Sequence, residues 1–104
     1  MLDSLSSNDI KELFSSGKKI KGKHFNLIIK QKEDNILRFA VIISGKSKAS
    51  ERNKIKRRLR EIIRPNKKDI KYNFLIIVKK EVLNLPFLSV KENLLNQFKE
   101  AKLI

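Results

Sequence analysis

Residues 49–65 read ASERNKIKRRLREIIRP, and their spacing decides the fold. Ile55, Leu59, Ile62 and Ile63 recur at helical intervals, so a helix over 49–64 has one apolar stripe. A stripe of this kind must lie on another element. Pro65 ends the helix, because proline disfavours a helical residue before it. Arg52, Lys56 and Arg60 repeat every four residues and form a row along one flank of the stripe. Asn53, Arg57 and Arg64 widen the row on its outer side. Lys54 and Glu61 fall at the back, and Arg58 on the opposite flank. One side of the helix can pack while the adjacent side presents cations.

The surface it packs on is written in alternating segments. Phe25, Leu27 and Ile29 share one strand face, with His24, Asn26 and Ile28 on the other. Gly22 divides residues 18–31 into two short strands. Glu33-Asp34-Asn35 is a turn signal. In residues 36–43, Leu37, Phe39, Val41 and Ile43 face one way and Ala40 and Ile42 the other, so this strand is expected to be central. After the basic helix, Tyr72, Phe74, Ile76 and Val78 alternate against Asn73, Leu75 and Ile77. A first helix opens at Ser6 and Asp9, places Ile10, Leu13 and Phe14 on one face, and stops at Gly17. A last helix is expected from the Ser89-x-x-Glu92 capping box, with Val90, Leu94, Phe98 and Ala101 as its apolar face. The order is helix, two or three strands, basic helix, strand, helix: an α+β two-layer sandwich with helices packed on one sheet. No repeat or linker interrupts residues 1–104, which read as a single domain.

Charge points to the partner. Twenty-five Lys and Arg stand against eleven Asp and Glu, a net +14. Residues 44–68 alone hold eleven cations and two acids, Glu51 and Glu61, so +9 of the total lies there. Such an excess calls for an anionic partner, nucleic acid before an anionic membrane surface. Arginine forks hold two phosphate oxygens at once, and a rigid row can meet successive phosphates. Solubility alone asks for no such imbalance. A ribosomal or other structural RNA-binding protein shares these features. A DNA-binding regulator would use the basic helix as a recognition helix, but the flanking strands do not suit a helix-turn-helix. A membrane-surface role lacks a Trp or Phe anchor on that helix.

Protein-borne chemistry is not expected. There is no cysteine, which excludes disulfides and thiol chemistry and fits a reducing cytoplasm. The single histidine, His24, reads as a surface or edge residue. Glu33 and Asp34 are adjacent turn residues that point apart, a poor metal site. No apolar run reaches about 18 residues, and residues 1–10 lack the pattern of a signal peptide.

The segment from Arg52 to Glu61 resembles the R-N-x-x-K-R-x-x-R signature of the bacterial ribonuclease P protein, with all five fixed positions present. Asp9 to Gly17 is similar to that family's opening D-F-x-x-V-F-x-x-G helix, and Arg38 to Ser44 to its R-V-G-F-V-V-S strand. The resemblance implies an αβββαβα fold: a mixed four-stranded sheet, three helices and a left-handed βαβ crossover that carries the signature helix. It implies an RNA-binding subunit that assists a catalytic RNA in removing the 5′ leader of precursor tRNA. Mg²⁺ would be bound mainly by that RNA, and the setting would be the cytoplasm. By position, Lys46, Lys48, Arg52, Asn53, Lys56, Arg57 and Arg60 would contact the catalytic RNA. A cleft between the first helix and the sheet, with Ile10, Phe14 and Ile28, would hold the leader. The sequence departs from the family in four respects. Ile10 and Ile28 replace aromatic residues. Gly45 replaces a lysine. The loop before the signature helix is about one residue shorter. The first eight residues carry no Lys or Arg, so the share of a basic arm would either be lost or fall to Lys18, Lys19, Lys21 and Lys23.

Overall fold

The alternating segments become one mixed sheet. The computed structural model describes residues 2–32, 34 and 36–103. Its strands are β1 (Leu2–Ser4), β2 (Lys18–Ile20), β3 (Phe25–Gln31), β4 (Leu37–Ile43) and β5 (Tyr72–Val78). The helices are α1 (Ser7–Ser16), α2 (Ala49–Ile63) and α3 (Phe87–Glu100). The expected four strands run in the order β4-β5-β3-β2, and the three-residue β1 adds to the outer side of β4. The last strand in sequence, β5, enters between β3 and β4, antiparallel to the first and parallel to the second. The parallel pair β4 and β5 is joined through α2, the crossover unit such a pair requires.

The main core lies on the face that carries α2 and α3. Phe25, Leu27, Phe39, Phe74, Ile76 and Val78 of the sheet meet Ile55, Leu59, Ile62 and Ile63 of α2 and Val90, Leu94 and Phe98 of α3. Phe74 sits at the centre, stacked on Phe39 and edge-on to Phe98, each at 5.4 Å between ring centroids. Each buried stripe residue of α2 contributes about 1.5–3 kcal/mol, which fixes the basic helix to the sheet.

The α+β class, the three helices and the mixed four-stranded sheet stand, and four details differ from expectation. The helices do not share one face: α1 packs on the other side, where Leu13 meets Ile28 and Leu75. The layers are therefore α1, sheet, then α2 with α3. It is β5 that is central. β4 is paired on its outer side only over Leu37–Phe39, leaving residues 40–43 outside that pairing. α3 begins at Phe87, with Pro86 as its extended N-cap and no side-chain cap bond, so Ser89 lies inside the first turn. The rigid φ of Pro86 suits a helix entry and sets the start earlier than the capping-box pattern. Pro65 stops the helix one residue earlier than expected. It ends the α-helix at Ile63 and sits in a 3-10 turn, Arg64–Asn66, where Asn66 Nδ2 donates to the Ile62 carbonyl at 2.9 Å. Of the proposed Glu33-Asp34-Asn35 turn, only Asp34 is among the described residues; its carboxylate accepts from the Ile36 N–H at 3.0 Å.

Candidate nucleic-acid interface

α2 presents the cations its sequence promises. Ile55, Leu59, Ile62 and Ile63 are all buried, which sets the rotation of the helix. That rotation leaves Arg52, Asn53, Arg57 and Arg60 exposed and Lys56 half-buried. Lys56 and Arg60 flank a groove of about 140 Å³ against Phe39, Ala40 and Val41 of β4. The row thus continues onto the sheet edge, a juxtaposition that no spacing in the sequence reveals. Lys54 is also exposed, while Arg58 is half-buried.

The loop before α2 has its own shape. Gly45 adopts φ +86°, a left-handed conformation that L side chains rarely take. This accounts for glycine at this position. Lys46 and Lys48 follow it, both exposed. Lys48 is the N-cap of α2 and supplies no side-chain cap bond. The first N–H groups of a helix attract anions, and here they open beside the cation row.

The opposite face of the sheet carries three transverse rows, read from the strand register. Arg38, Asn73 and Lys30 form a polar row. Ala40, Leu75 and Ile28 form an apolar row beneath α1. Ile42, Ile77 and Asn26 form the third. Over the polar row, α1 and the sheet enclose a cavity of about 350 Å³. Its charges are mutually engaged: Lys30 pairs with Glu12, and Arg38 pairs with Asp34 at 3.1 Å. The hydroxyl and backbone N–H of Ser6 donate to Asp9 and hold its carboxyl below the usual range, with Arg38 and Lys30 adding smaller effects. The hydrogen bond from Ile36 lowers Asp34 likewise, helped by Arg38.

The three expected cleft residues have different fates. Phe14 is 46% exposed, so it is not a core residue. Ile10 is half-buried at the margin of the α1 cluster. Ile28 is 3% exposed and forms the floor under α1. Ile42, 37% exposed, and the half-buried Ile77 lie on the same face, and sequence reasoning alone does not single them out. Their signal is the second apolar parity of β4 and β5.

The ribonuclease P family model matches residues 5–102. The chain belongs to the ribonuclease P protein family. A ribonuclease P protein component from Streptococcus agalactiae is 32% identical over 95% of this chain and 93% of its own length. That of Thermotoga maritima is 33% identical over 86% and 83%. The solved Thermotoga maritima RNase P protein superposes with a TM-score of 0.78, at 30% identity over 88% of this chain and 90% of that one. The Staphylococcus aureus RNase P protein shares the fold with a TM-score of 0.87 over 97% of this chain and 95% of that one, at 23% identity. Ribonuclease P proteins are the protein subunits of a ribonucleoprotein endoribonuclease, so the partner of this chain is the ribonuclease P RNA. Among the described residues no helix is long and apolar enough to cross a membrane.

Proposed function

We propose that α2 is the surface that grips the catalytic RNA, through Arg52, Asn53, Lys56, Arg57 and Arg60 with Lys46 and Lys48 ahead of them. The observation that carries this reading is the division of α2 into a fully buried stripe and an exposed arginine row on a rigid helix. Cations held this way meet successive phosphates with little ordering cost. The second surface is the α1 face, where Phe14, Ile42 and Ile77 offer stacking and apolar contact to the single-stranded leader of precursor tRNA. Ile10 and Ile28 shape that cleft from its margin and floor. One domain over residues 1–104 bears both surfaces, a reading supported by the 12.8 Å radius of gyration, close to the roughly 13 Å of one compact domain of this length.

Cleavage itself is assigned to the RNA, in the cytoplasm where precursor tRNA is made, with Mg²⁺ held mainly by RNA oxygens. Among the described residues no group of three or more His, Cys, Asp or Glu could hold a metal ion. Asp9 and Asp34 are already engaged by Ser6 and by Ile36 with Arg38.

Reconstitution tests the whole reading. Adding the protein to the host ribonuclease P RNA at low Mg²⁺ is expected to speed removal of the leader, and less so as Mg²⁺ rises. The protein alone is expected to cut nothing. Leader removal without RNA, or no effect of the protein at any Mg²⁺ level, would refute it.

A further inference from the structure

A second pocket lies at the other end of the sheet. Residues 21–24, between β2 and β3, fold back onto α3. The Gly22 N–H donates to Asn26 Oδ1 at 3.3 Å, and Lys79 Nζ donates to the Gly22 carbonyl at 2.8 Å. Gln97, 9% exposed, donates through Nε2 to the Phe25 carbonyl at 2.8 Å. A Cβ on Gly22 would come within 2.4 Å of that amide nitrogen. The loop is thus held in place by these hydrogen bonds and seated close against the Gln97 side chain of α3. Between loop and helix is a cavity of about 440 Å³. Its size falls in the roughly 300–1,000 Å³ range of sites that take small molecules.

The chemistry of its walls is specific. Lys21 and Lys23 stand exposed on the loop side. Asn93 and Asn96 line the α3 side, with Glu100 one turn beyond Asn96. Carboxamides offer a donor and an acceptor together, the pattern that base edges need. The carboxylate of Glu100 repels phosphate, which leaves Lys21 and Lys23 as the phosphate end. The site is separate from the α2 row. α2 borders β4, whereas this pocket adjoins β2, three strand spacings or roughly 15 Å across the sheet.

We propose that this pocket is a second RNA-binding site that takes one unpaired nucleotide, with its phosphate on Lys21 and Lys23 and its base against Asn93 and Asn96. The proposal rests on the reading that the protein binds RNA, and it adds a contact on the edge of the sheet opposite α2. Two such edges let one small domain bridge two segments of a folded RNA.

Side-chain amide NMR of the full chain tests it. The probe is an unstructured five-nucleotide RNA, with inorganic phosphate titrated in parallel. The RNA is expected to shift the Asn93 and Asn96 amides; phosphate alone is not. Lys21→Ala with Lys23→Ala is expected to remove those shifts and weaken pocket binding about tenfold, with a salt slope lower by about 0.7 for the one single-strand phosphate. Unmoved amides, equal shifts with phosphate, or shifts that survive the double substitution would each overturn the proposal. Arg57→Ala with Arg60→Ala is expected to leave the amide shifts in place. If that pair also left binding to the catalytic RNA intact, the α2 assignment would fail while the pocket stood.

Discussion

Gly17 and Ile28 approach so closely that no side chain fits between them. A Cβ on Gly17 would stand 2.6 Å from Ile28 Cγ2 and 2.5 Å from the Leu13 carbonyl oxygen. The φ of Gly17 is −71°, so space and not backbone angle demands glycine. Gly17→Ala is expected to cost about 1–3 kcal/mol in urea unfolding, as overpacking does. It should push the end of α1 off the sheet and weaken leader binding more than binding to the catalytic RNA. Equal losses for both RNAs would contradict two separate surfaces.

Phe14 lies three residues before Gly17 and is largely exposed. Phe14→Ala should leave thermal stability nearly unchanged. Its affinity for a single-stranded leader, read by fluorescence anisotropy, should fall by about 1–3 kcal/mol, the worth of one base stacked on an aromatic ring. A large drop in melting temperature with unchanged leader affinity would return Phe14 to the core.

The exposed row of α2 makes a contrast of positions. Arg52→Ala, Arg57→Ala and Arg60→Ala should each weaken the catalytic RNA complex. Each should also lower its salt slope by about 0.9 for every duplex phosphate left without its cation. Lys54→Ala and Arg58→Ala should do less. Circular dichroism should find all five variants folded. The reverse order of effects would mean that the opposite face of α2 meets the RNA.

α3 ends in a Schellman turn with an unusual residue. The Leu103 N–H bonds to the Phe98 carbonyl and the Lys102 N–H to the Lys99 carbonyl, while Lys102 adopts φ +60°. Glycine is the usual occupant of that place. Lys102→Gly should raise stability by about 0.5–1 kcal/mol in chemical denaturation, because lysine is strained there. An unchanged or lower midpoint would deny the strain.

Acid should loosen the start of α1. Asp9 closes a reciprocal cap with Ser6: the Asp9 N–H donates to Ser6 Oγ at 3.2 Å, and the Ser6 N–H donates to the carboxylate at 3.1 Å. A carboxyl held low in the folded state stabilises above its unfolded value, and that contribution is lost as pH falls through the folded one. The cap is therefore complete at neutral pH and opens only below the ordinary carboxylate range. Carbon NMR of the Asp9 carboxyl should show a depressed midpoint, and Ser6→Ala should return it toward the usual range.

What the sequence shows depends on how far apart the cooperating residues lie. The stripe from Ile55 to Ile63, the parities of β3 and β5 and the Ser6–Asp9 cap all rest on neighbours within a few residues, and all three stand in the structure. The placement of α1 on the second face depends on Leu13 finding Ile28 and Leu75, which no local period encodes. The start of α3 departs from the Ser89 pattern because Ser89 and Glu92 satisfy a local rule that Pro86 pre-empts. The close approach of Gly22 and Gln97 joins residues 75 positions apart and leaves no trace in either segment.

The place of β5 bears on how the protein comes into being. During synthesis β3 and β4 leave the ribosome without the strand that must lie between them. Until Tyr72–Val78 emerges, the arginine helix has no completed platform beneath it. Assembly is thus deferred until β5 is free to pair, and its many distant pairings favour slow, concerted folding.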